Sequence, residues 1–335
     1  MNILFTCVGR RTYLIQYFKN NLQKEDKIFA VDMQLSAPAL QVADVKIQVP
    51  DVYANNYIEV LLNICKTNKI NALISLNDLE LPILSKNIAE FNKIGVTMIV
   101  STPDVIDICF DKYKTFLWIQ SLGLKAPKTY LHLKDVKQAL AVNEISFPLF
   151  IKPRWGSGSI GLESIENMEE LNLYYCLLKK KLKKTILANV SKGNEYILIQ
   201  EKLTGSEYGI DVINDLKGNY ITTCMKQKLA MRSGETDKAI IVNIPEIKKI
   251  GETIGHNLKH ISNLDVDIMQ RANGDYCVLE MNPRFGGGFP FSYEAGVNLP
   301  KAIIEWLKGN TIDKLLLTPT YGKMFAKNDY LLEIK

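Results

Sequence analysis

Short apolar runs alternate with amphipathic stretches over the first hundred residues. Four runs are typical of buried strands: 2–8, 27–31, 72–76 and 97–100. Three stretches between them have the spacing of amphipathic helices: 11–22, 57–67 and 81–94. Regular alternation of strand and helix predicts successive βα units and a parallel sheet. The sequence therefore predicts a Rossmann-like open α/β domain over 1–103.

Charged residues follow three of these predicted strands. They are Arg10, Arg11, Asp32 and Asp78. Because ligands bind open α/β sheets outside the carboxyl ends of the strands, we expect these four residues to lie near a substrate. The same residue types also suit helix caps and exposed turns, and the sequence leaves that alternative open.

The pattern changes after a capped helix start at Ser101–Thr102–Pro103–Asp104. Longer strands of the antiparallel kind follow, with few helices between them: 126–130, 147–153, 196–202, 207–214, 220–227, 265–270 and 276–282. The sequence thus predicts an α+β body over 104–310. We divide it into a part with a glycine-rich run over about 125–200 and a part with acidic strands over about 201–310. A C-terminal extension over 311–335 packs against this body.

Composition narrows the class of protein. Hydrophobic residues make up 47% and charged residues 23% of the chain, which excludes a disordered or fibrous protein. The net charge of +5 is too mild to indicate nucleic-acid binding, and it suits a small anionic ligand. The six cysteines form no CxxC pair, and no apolar run approaches the roughly eighteen residues of a membrane span. We therefore expect a cytoplasmic protein with reduced cysteines and no membrane or nucleic-acid partner.

A lysine followed by a glycine-rich loop is the first chemical signal. The apolar run 147–153 contains Lys152, and the loop after it contains five small residues: Gly156, Ser157, Gly158, Ser159 and Gly161. Glycines allow backbone amides to approach phosphate oxygens, and a lysine supplies a point charge. The loop matches the dinucleotide fingerprint in form, but no helix opens directly after it. It therefore predicts a polyphosphate loop of another kind.

Oxygen-bearing side chains near residue 280 are the second signal. Glu280 and Asn282 alternate on one face of a predicted strand, and Asp267 lies on the preceding strand of the same hairpin. Carboxylate and amide oxygens suit Mg²⁺ that also contacts phosphates. An ordinary hairpin with polar residues at its end is the alternative.

Together with the strand–turn–strand segment 199–211 and its alternating acids, these motifs resemble the ATP-grasp superfamily. The resemblance covers about 104–309, and the first domain looks like the pre-ATP-grasp domain. Within the superfamily, the chain is most similar to half of the carbamoyl-phosphate synthase large chain and to carboxylate–amine ligases such as the pyrrolysine-biosynthesis ligase.

The resemblance implies a nucleotide site. Lys112 and Lys152 would contact phosphates together with the glycine loop. Glu201 would face the adenine amino group, the backbone of Lys202 and Leu203 would complete the adenine contacts, and Glu207 would hold the ribose.

The resemblance also implies a metal and acceptor site. Asp267, Glu280 and Asn282 would hold two Mg²⁺ ions, for which Mn²⁺ could substitute. Arg284 would neutralise the transferred phosphoryl group, as one of three expected catalytic residues: Lys152, Arg232 and Arg284. The segment 226–238 looks like a loop over the acceptor, in which Arg232 contacts an anionic substrate. An ordinary polar hairpin loop is the alternative for that segment.

The function predicted on this basis is an ATP- and Mg²⁺-dependent ligase. It would activate a small carboxylate as an acyl phosphate and pass it to an amine or a thiol, with release of ADP and phosphate. A subunit of a split carbamoyl-phosphate-synthase-like enzyme and a non-catalytic ATP-binding regulator are the alternatives. The resemblance further implies a homodimer.

Overall fold

The computed structural model of the protein describes residues 1–156, 161–189 and 195–334. Its first sheet is parallel, with the strand order β3-β2-β1-β4-β5. The strands are Asn2–Thr6 (β1), Lys27–Asp32 (β2), Val45–Gln48 (β3), Ala72–Ser75 (β4) and Thr97–Ile99 (β5). The helices are Thr12–Lys19 (α1), Pro38–Gln41 (α2), Tyr57–Thr67 (α3), Leu81–Lys86 (α4) and Ile88–Lys93 (α5). The predicted Rossmann-like sheet is confirmed.

Two elements of this first domain differ from the prediction. The single helix expected over 81–94 is two helices, because Asn87 leaves helical geometry and its side-chain amide donates to Ile83 O over 2.8 Å. Such a local bond competes with the helical backbone. The edge strand β3 was not predicted, although its exposed and half-buried residues alternate as in a half-buried strand.

A smaller antiparallel sheet has the order β6-β9-β7-β8. Its strands are Thr129–Tyr130 (β6), Leu149–Pro153 (β7), Glu163–Ile165 (β8) and Ile197–Glu201 (β9). The accompanying helices are Pro103–Phe110 (α6), Lys112–Ser121 (α7), Leu133–Ala141 (α8) and Met168–Leu182 (α9), followed by a short 3₁₀ turn at Ile186–Asn189. Helix α9 buries Leu171, Leu178 and Leu182 against this sheet, and the basic residues of its last turn are exposed.

A six-stranded antiparallel sheet, ordered β14-β13-β10-β11-β12-β15, forms the rest of the body. Its strands are Glu207–Asn214 (β10), Tyr220–Arg232 (β11), Glu235–Val242 (β12), Asn263–Gln270 (β13), Tyr276–Asn282 (β14) and Met324–Ala326 (β15). The helices are Pro245–Leu258 (α10), Phe289–Glu294 (α11) and Leu299–Leu307 (α12), with a 3₁₀ turn at Lys314–Leu317. Strand β15 pairs with β12, so the C-terminal extension joins the sheet.

The expectation of a loop over 226–238 is wrong. Strand β11 continues to Arg232 and β12 begins at Glu235, so only Ser233 and Gly234 form the turn. Both turn residues have positive φ, at +51° and +79°. Two such residues match the twist of a tight hairpin, which allows both strands to run to the turn.

The first sheet and the six-stranded sheet share one apolar core. Phe5 and Phe18 from the first sheet region pack in the same buried cluster as Ile241 and Phe285. This shared core fixes the carboxyl ends of the parallel strands against β14 and the loop that follows it. Among the described residues, no helix combines the length and apolar character needed to cross a bilayer.

Candidate functional site

One face of the six-stranded sheet collects most of the polar residues predicted to carry chemistry. Asp267 lies opposite Glu280, and Asp265 lies opposite Asn282. Gly209 lies opposite both Asp267 and Lys226 in its two pairings. Alternate residues of a strand point to the same side of the sheet. That face therefore carries these charged and polar side chains: Glu207, Lys226, Lys228, Asp265, Asp267, Glu280 and Asn282.

The three predicted metal ligands lie together on this face. The Asn282 side-chain amide is 3.4 Å from Glu280 Oε1. Burial raises the pKa of Asp267 to about 7, against the opposing effect of Lys228. Burial also disfavours the charged form of Glu280, but Lys112 and Lys152 hold the pKa of Glu280 below its usual value. Glu280 is therefore an ionised carboxylate beside two cations.

The two predicted phosphate-binding lysines lie at the start of helix α7 and on strand β7 of the smaller sheet. Lys112 opens helix α7, whose N-cap Asp111 accepts from the amide of Tyr113 over 3.0 Å. The Lys112 ammonium lies 3.6 Å from Glu280 Oε2 and also donates to Gly156 O. Lys152 on β7 donates to Gln200 Oε1 over 2.8 Å. Burial, with the repulsion of Lys112, lowers the pKa of Lys152 to about 8.

The glycine loop is described at its two ends. Gly156 and Gly161 have φ of +105° and +70°, and a Cβ on either would approach a leucine to 3.0 Å. Both positions therefore need glycine for conformation and for space. Ser157, Gly158 and Ser159 lie outside the described residues.

The predicted adenine hinge contains an arginine that the sequence did not single out. Arg271 donates through both terminal nitrogens to Glu201, over 2.6 and 2.7 Å. The amide of Lys128 donates to the same carboxylate over 3.1 Å. Beyond it, Lys202 donates to Ser164 Oγ over 2.8 Å and Leu203 is buried. The predicted contact of Glu201 with an adenine amino group stays a prediction.

Glu207, the predicted ribose ligand, is paired with a lysine. Lys228 Nζ donates to Glu207 Oε1 over 2.6 Å and to Asp267 Oδ1 over 2.7 Å. The two carboxylates raise the pKa of Lys228 above its usual value against the effect of burial. Sequence reasoning placed Lys228 in a loop and missed this position. The alternation of Lys226, Gln227 and Lys228 was the available signal for a charged strand face.

We call the sheet face that carries the predicted ligands Asp267, Glu280 and Asn282 the metal face. Arg284 connects it to the first sheet. Its terminal nitrogens donate to Asp265 Oδ2 over 2.8 Å and to Asp78 Oδ2 over 2.9 Å. The guanidinium and both carboxylates are largely shielded from water. Arg284 Nε is buried and has no hydrogen-bond partner among the described residues.

A second buried ion pair lies beneath the glycine-rich loop after Arg284. Lys226 and Asp211 are almost completely buried and are hydrogen-bonded to each other and to Ser292. A Cβ on Gly288 would meet Lys226 Cε at 2.7 Å, which explains why a glycine stands there. This pair supports the loop from below and faces away from solvent.

Arg232 lies away from the metal face, at the hairpin turn. It pairs with Asp237 over 3.0 Å and with Asp329 of the C-terminal segment. Its side chain is 49% exposed, so it can be reached from solvent. The predicted contact with an anionic substrate stays a prediction.

The four charged residues that follow the parallel strands differ in their surroundings, and only one of them joins the candidate site. Arg10 is exposed, and Arg11 donates to Leu76 O. Asp32 accepts from the amides of Gly9 and Gln34 over 2.9 and 3.0 Å, as a turn-stabilising aspartate does. Asp78 is joined to Arg284 and belongs to the site.

The donor set can hold a divalent cation. Glu280 and Asn282 present hard oxygens on one face, with Asp267 opposite Glu280 and the Lys112 ammonium 3.6 Å from Glu280 Oε2. In the part of the chain that the structure describes, no group of three or more His, Cys, Asp or Glu residues could hold a metal. Protein ligands alone therefore do not complete a shell, as is usual for Mg²⁺ bound through substrate phosphates.

Comparison with protein families gives two matches. Residues 3–99 match the family described as PylC-like, N-terminal domain. Residues 194–322 match the family described as ATP-grasp in the biosynthetic pathway with Ter operon. The first match covers the parallel sheet, and the second covers the face that carries the candidate metal ligands.

Curated relatives include two carbamoyl phosphate synthase large chains. The chain is 28% identical to that of Helicobacter pylori over 213 residues, which is 61% of this chain and 19% of the relative. It is 26% identical to that of Neisseria meningitidis serogroup B over 251 residues, which is 69% of this chain and 22% of the relative. The chain thus spans about a fifth of the length of these relatives.

Similar solved structures cover nearly the whole chain. The biotin carboxylase domain of Hydrogenobacter thermophilus 2-oxoglutarate carboxylase, a dimer with MgADP and bicarbonate, gives a TM-score of 0.73 at 18% identity over 93% of this chain and 70% of that one. The L-amino acid ligase of Bacillus licheniformis gives 0.71 at 14% identity over 96% and 78%. The N5-carboxyaminoimidazole synthetase of Staphylococcus aureus with ADP gives 0.68 at 16% identity over 93% and 78%. These likenesses establish the fold.

Proposed function

We propose that this chain, which has the ATP-grasp fold with a PylC-like N-terminal domain, is an Mg-ATP-dependent carboxylate–amine ligase. The observation that carries the proposal is the convergence of Lys112 and Lys152 on the Glu280 carboxylate. Two ammonium groups beside hard oxygen ligands are what a triphosphate and its metal require. The ADP-bound neighbours support a nucleotide at this fold position.

The nucleotide would span the cleft between the two antiparallel sheets. In this proposal Lys112 and Lys152 bind its phosphates, and Lys112 also donates to Gly156 O at the start of the glycine loop. The backbone of Lys202 and Leu203 in the hinge after β9 would bind adenine, and Glu207 would bind the ribose hydroxyls. Glu280, Asn282 and Asp267 are the residues that would hold Mg²⁺, which neutralises charge on the β- and γ-phosphates when bound.

The proposed reaction needs no side-chain nucleophile. A substrate carboxylate oxygen attacks the γ-phosphorus, the bond to the bridging oxygen breaks, and ADP leaves with that electron pair. An amine then attacks the acyl carbon, the acyl carbon–oxygen bond breaks, and phosphate and one proton are released. The described groups act by positioning and by charge: the lysines hold the phosphates, and the positive charge of Arg284 offsets negative charge on the transferred group.

A split synthase is the second candidate, because the curated relatives are carbamoyl phosphate synthase large chains. In that case the chain would phosphorylate a small acid and need a partner for the remaining steps. The homodimer stays a prediction that the dimeric neighbour supports.

The test measures ADP and phosphate release with Mg-ATP across a panel of carboxylates and amines, with mass spectrometry of the products. Lys152→Met is the loss-of-charge variant, and Lys238→Met, at an exposed lysine of β12, is the matched control. Amide formed by the wild type and the control but not by Lys152→Met supports the ligase. Release of phosphate only when a partner protein is added favours the split synthase, and absence of nucleotide binding refutes both.

A further inference from the structure

The face with the candidate metal ligands also holds a cation that the proposed reaction does not use. Lys228 Nζ lies between Glu207 and Asp267, within 2.6 and 2.7 Å of one oxygen of each. The lysine side chain is 7% exposed, whereas the two acids are 28% and 24% exposed. The ammonium is therefore enclosed by the site, and the carboxylates form the wall between it and the cleft.

Gly209 allows this lysine to reach Asp267. Strand β10 separates β11 from β13, and Gly209 lies opposite Asp267 in the register. A Cβ on Gly209 would stand 3.3 Å from Lys228 Cε and 3.5 Å from Lys226 Cε. The missing side chain leaves a passage across β10, and the stem of Lys228 lies along it. A side chain at this position would crowd the stem of Lys228.

The position of Lys228 limits what Asp267 can bind. Two cations that share one carboxylate at contact distance repel each other strongly in a shielded site. A divalent ion on Asp267 would therefore have to displace the ammonium, which has a second carboxylate, Glu207, to hold it in place. The two lysines that face Glu280 are not in contact with it in this way: the Lys112 ammonium lies 3.6 Å from Oε2, and Lys152 donates to Gln200.

The following inference rests on the proposed function. We propose that Lys228 is a fixed cation of the metal site, and that the chain therefore binds its nucleotide with one divalent ion. Glu280 and Asn282 hold that ion with the phosphates, and the Lys228 ammonium supplies positive charge at Asp267. The inference departs from the two-ion arrangement expected from the family resemblance. It assigns the difference to one lysine and to the glycine beneath it.

Counting Mn²⁺ on the nucleotide complex tests this inference without turnover. The full chain is saturated with ADP and titrated with Mn²⁺, and free Mn²⁺ is measured by electron paramagnetic resonance. We expect one tightly bound ion per chain in the wild type and in Lys228→Arg, which keeps the charge. We expect two in Lys228→Met, which frees Asp267, and one in the exposed-lysine control Lys238→Met.

Each result has a defined meaning. Two ions on the wild-type complex overturn the inference alone, and so does a single ion on folded Lys228→Met. If Lys228→Met fails to fold, Lys228→Gln removes the same charge and keeps a polar side chain. A count that stays at one in folded Lys228→Gln also overturns the inference. A wild type that binds no ADP refutes the proposed function itself, and the inference fails with it.

Discussion

Arg284 and Asp78 are 206 positions apart and form a hydrogen-bonded ion pair of 2.9 Å. Asp78 follows β4 of the parallel sheet, and Arg284 follows β14 of the metal face. The pair is largely shielded, with side-chain exposures of 8% and 9%. It therefore fixes the first sheet to the strand that carries Glu280 and Asn282.

Asp78→Asn should destabilise the protein strongly. Removing one partner of a buried ion pair leaves an uncompensated charge and costs about 3–5 kcal/mol. Because Arg284 keeps Asp265 as a second partner, we expect a loss near the lower end, about 3 kcal/mol in the free energy of unfolding by urea. The matched control is Asp107→Asn, which removes an exposed pair with Lys114 and should cost less than about 1 kcal/mol. Equal losses in the two variants would contradict the role of Asp78.

Nucleotide affinity should fall as the pH rises above 8. The pKa of Lys152 is lowered to about 8, so the free protein loses this charge in the range where an ordinary lysine keeps it. Only the protonated form attracts phosphate, and the Kd for ADP should therefore rise by up to about tenfold per pH unit above 8. Calorimetric titration between about pH 7 and 9.5 measures it. Lys152→Met should bind weakly with no such slope, and a flat wild-type profile would exclude Lys152 as a phosphate ligand.

The same lowered pKa predicts the sign of one contribution to stability. Between pH 8 and the ordinary lysine value of 10.5, the unfolded state holds a proton that the folded state has released. Stability from this group therefore rises with pH over that window. Comparing urea unfolding of the wild type and Lys152→Met across the window isolates it, and a wild-type stability that falls relative to the variant would contradict the assignment.

Local patterns in the sequence predicted most of the scaffold. Strands β10 and β14 begin and end where the sequence predicted, because turn residues stand at both ends of each apolar run. The pattern failed where tertiary context decides. The β11–β12 hairpin has few buried residues near its turn, so its polar composition resembled a loop. Strand β15 exists only because the β12 edge is there to pair with it.

The site shows the same division. Asp267, Glu280 and Asn282 could be placed on one face because a hairpin fixes which residues stand opposite each other. Lys228 and Arg271 could not, since their partners Glu207 and Glu201 lie in separate elements and only the folded sheets bring them together. The spacing of residues along the chain predicts which side chains share a face of a strand, whereas long-range ion pairs depend on how whole sheets pack together.

Glu280→Gln should abolish ATP turnover and leave the fold intact. The change keeps the shape of the side chain but removes the negative charge that Lys112 and Lys152 face. Loss of one electrostatic group in a catalytic site typically costs about 10²–10³ in rate. ADP release is the measurement, and Glu246→Gln, at an exposed glutamate of α10, is the control. Turnover within a few-fold of the wild type would refute the metal-ligand role of Glu280.

Arg232 and Asp329 provide a test of where the acceptor binds. If Arg232 contacts an anionic substrate, Arg232→Gln should raise the KM for that substrate by about tenfold, since the change removes a charged hydrogen-bond donor. The KM for ATP should not change, because Arg232 lies at the hairpin turn and the phosphate ligands lie on other elements.

Asp329→Asn should lower the KM for the anionic substrate, the opposite of the effect expected for Arg232→Gln. Asp329 and Asp237 share the Arg232 guanidinium, and both would repel an anionic substrate. Removing the charge of Asp329 frees one edge of the guanidinium and reduces that repulsion, so the KM for the acceptor should fall. Lys238→Gln on the same hairpin controls for the general loss of positive charge. A KM that responds equally to Lys238→Gln and Arg232→Gln would show that the hairpin acts through its overall charge, and Arg232 would then hold only the C-terminal segment.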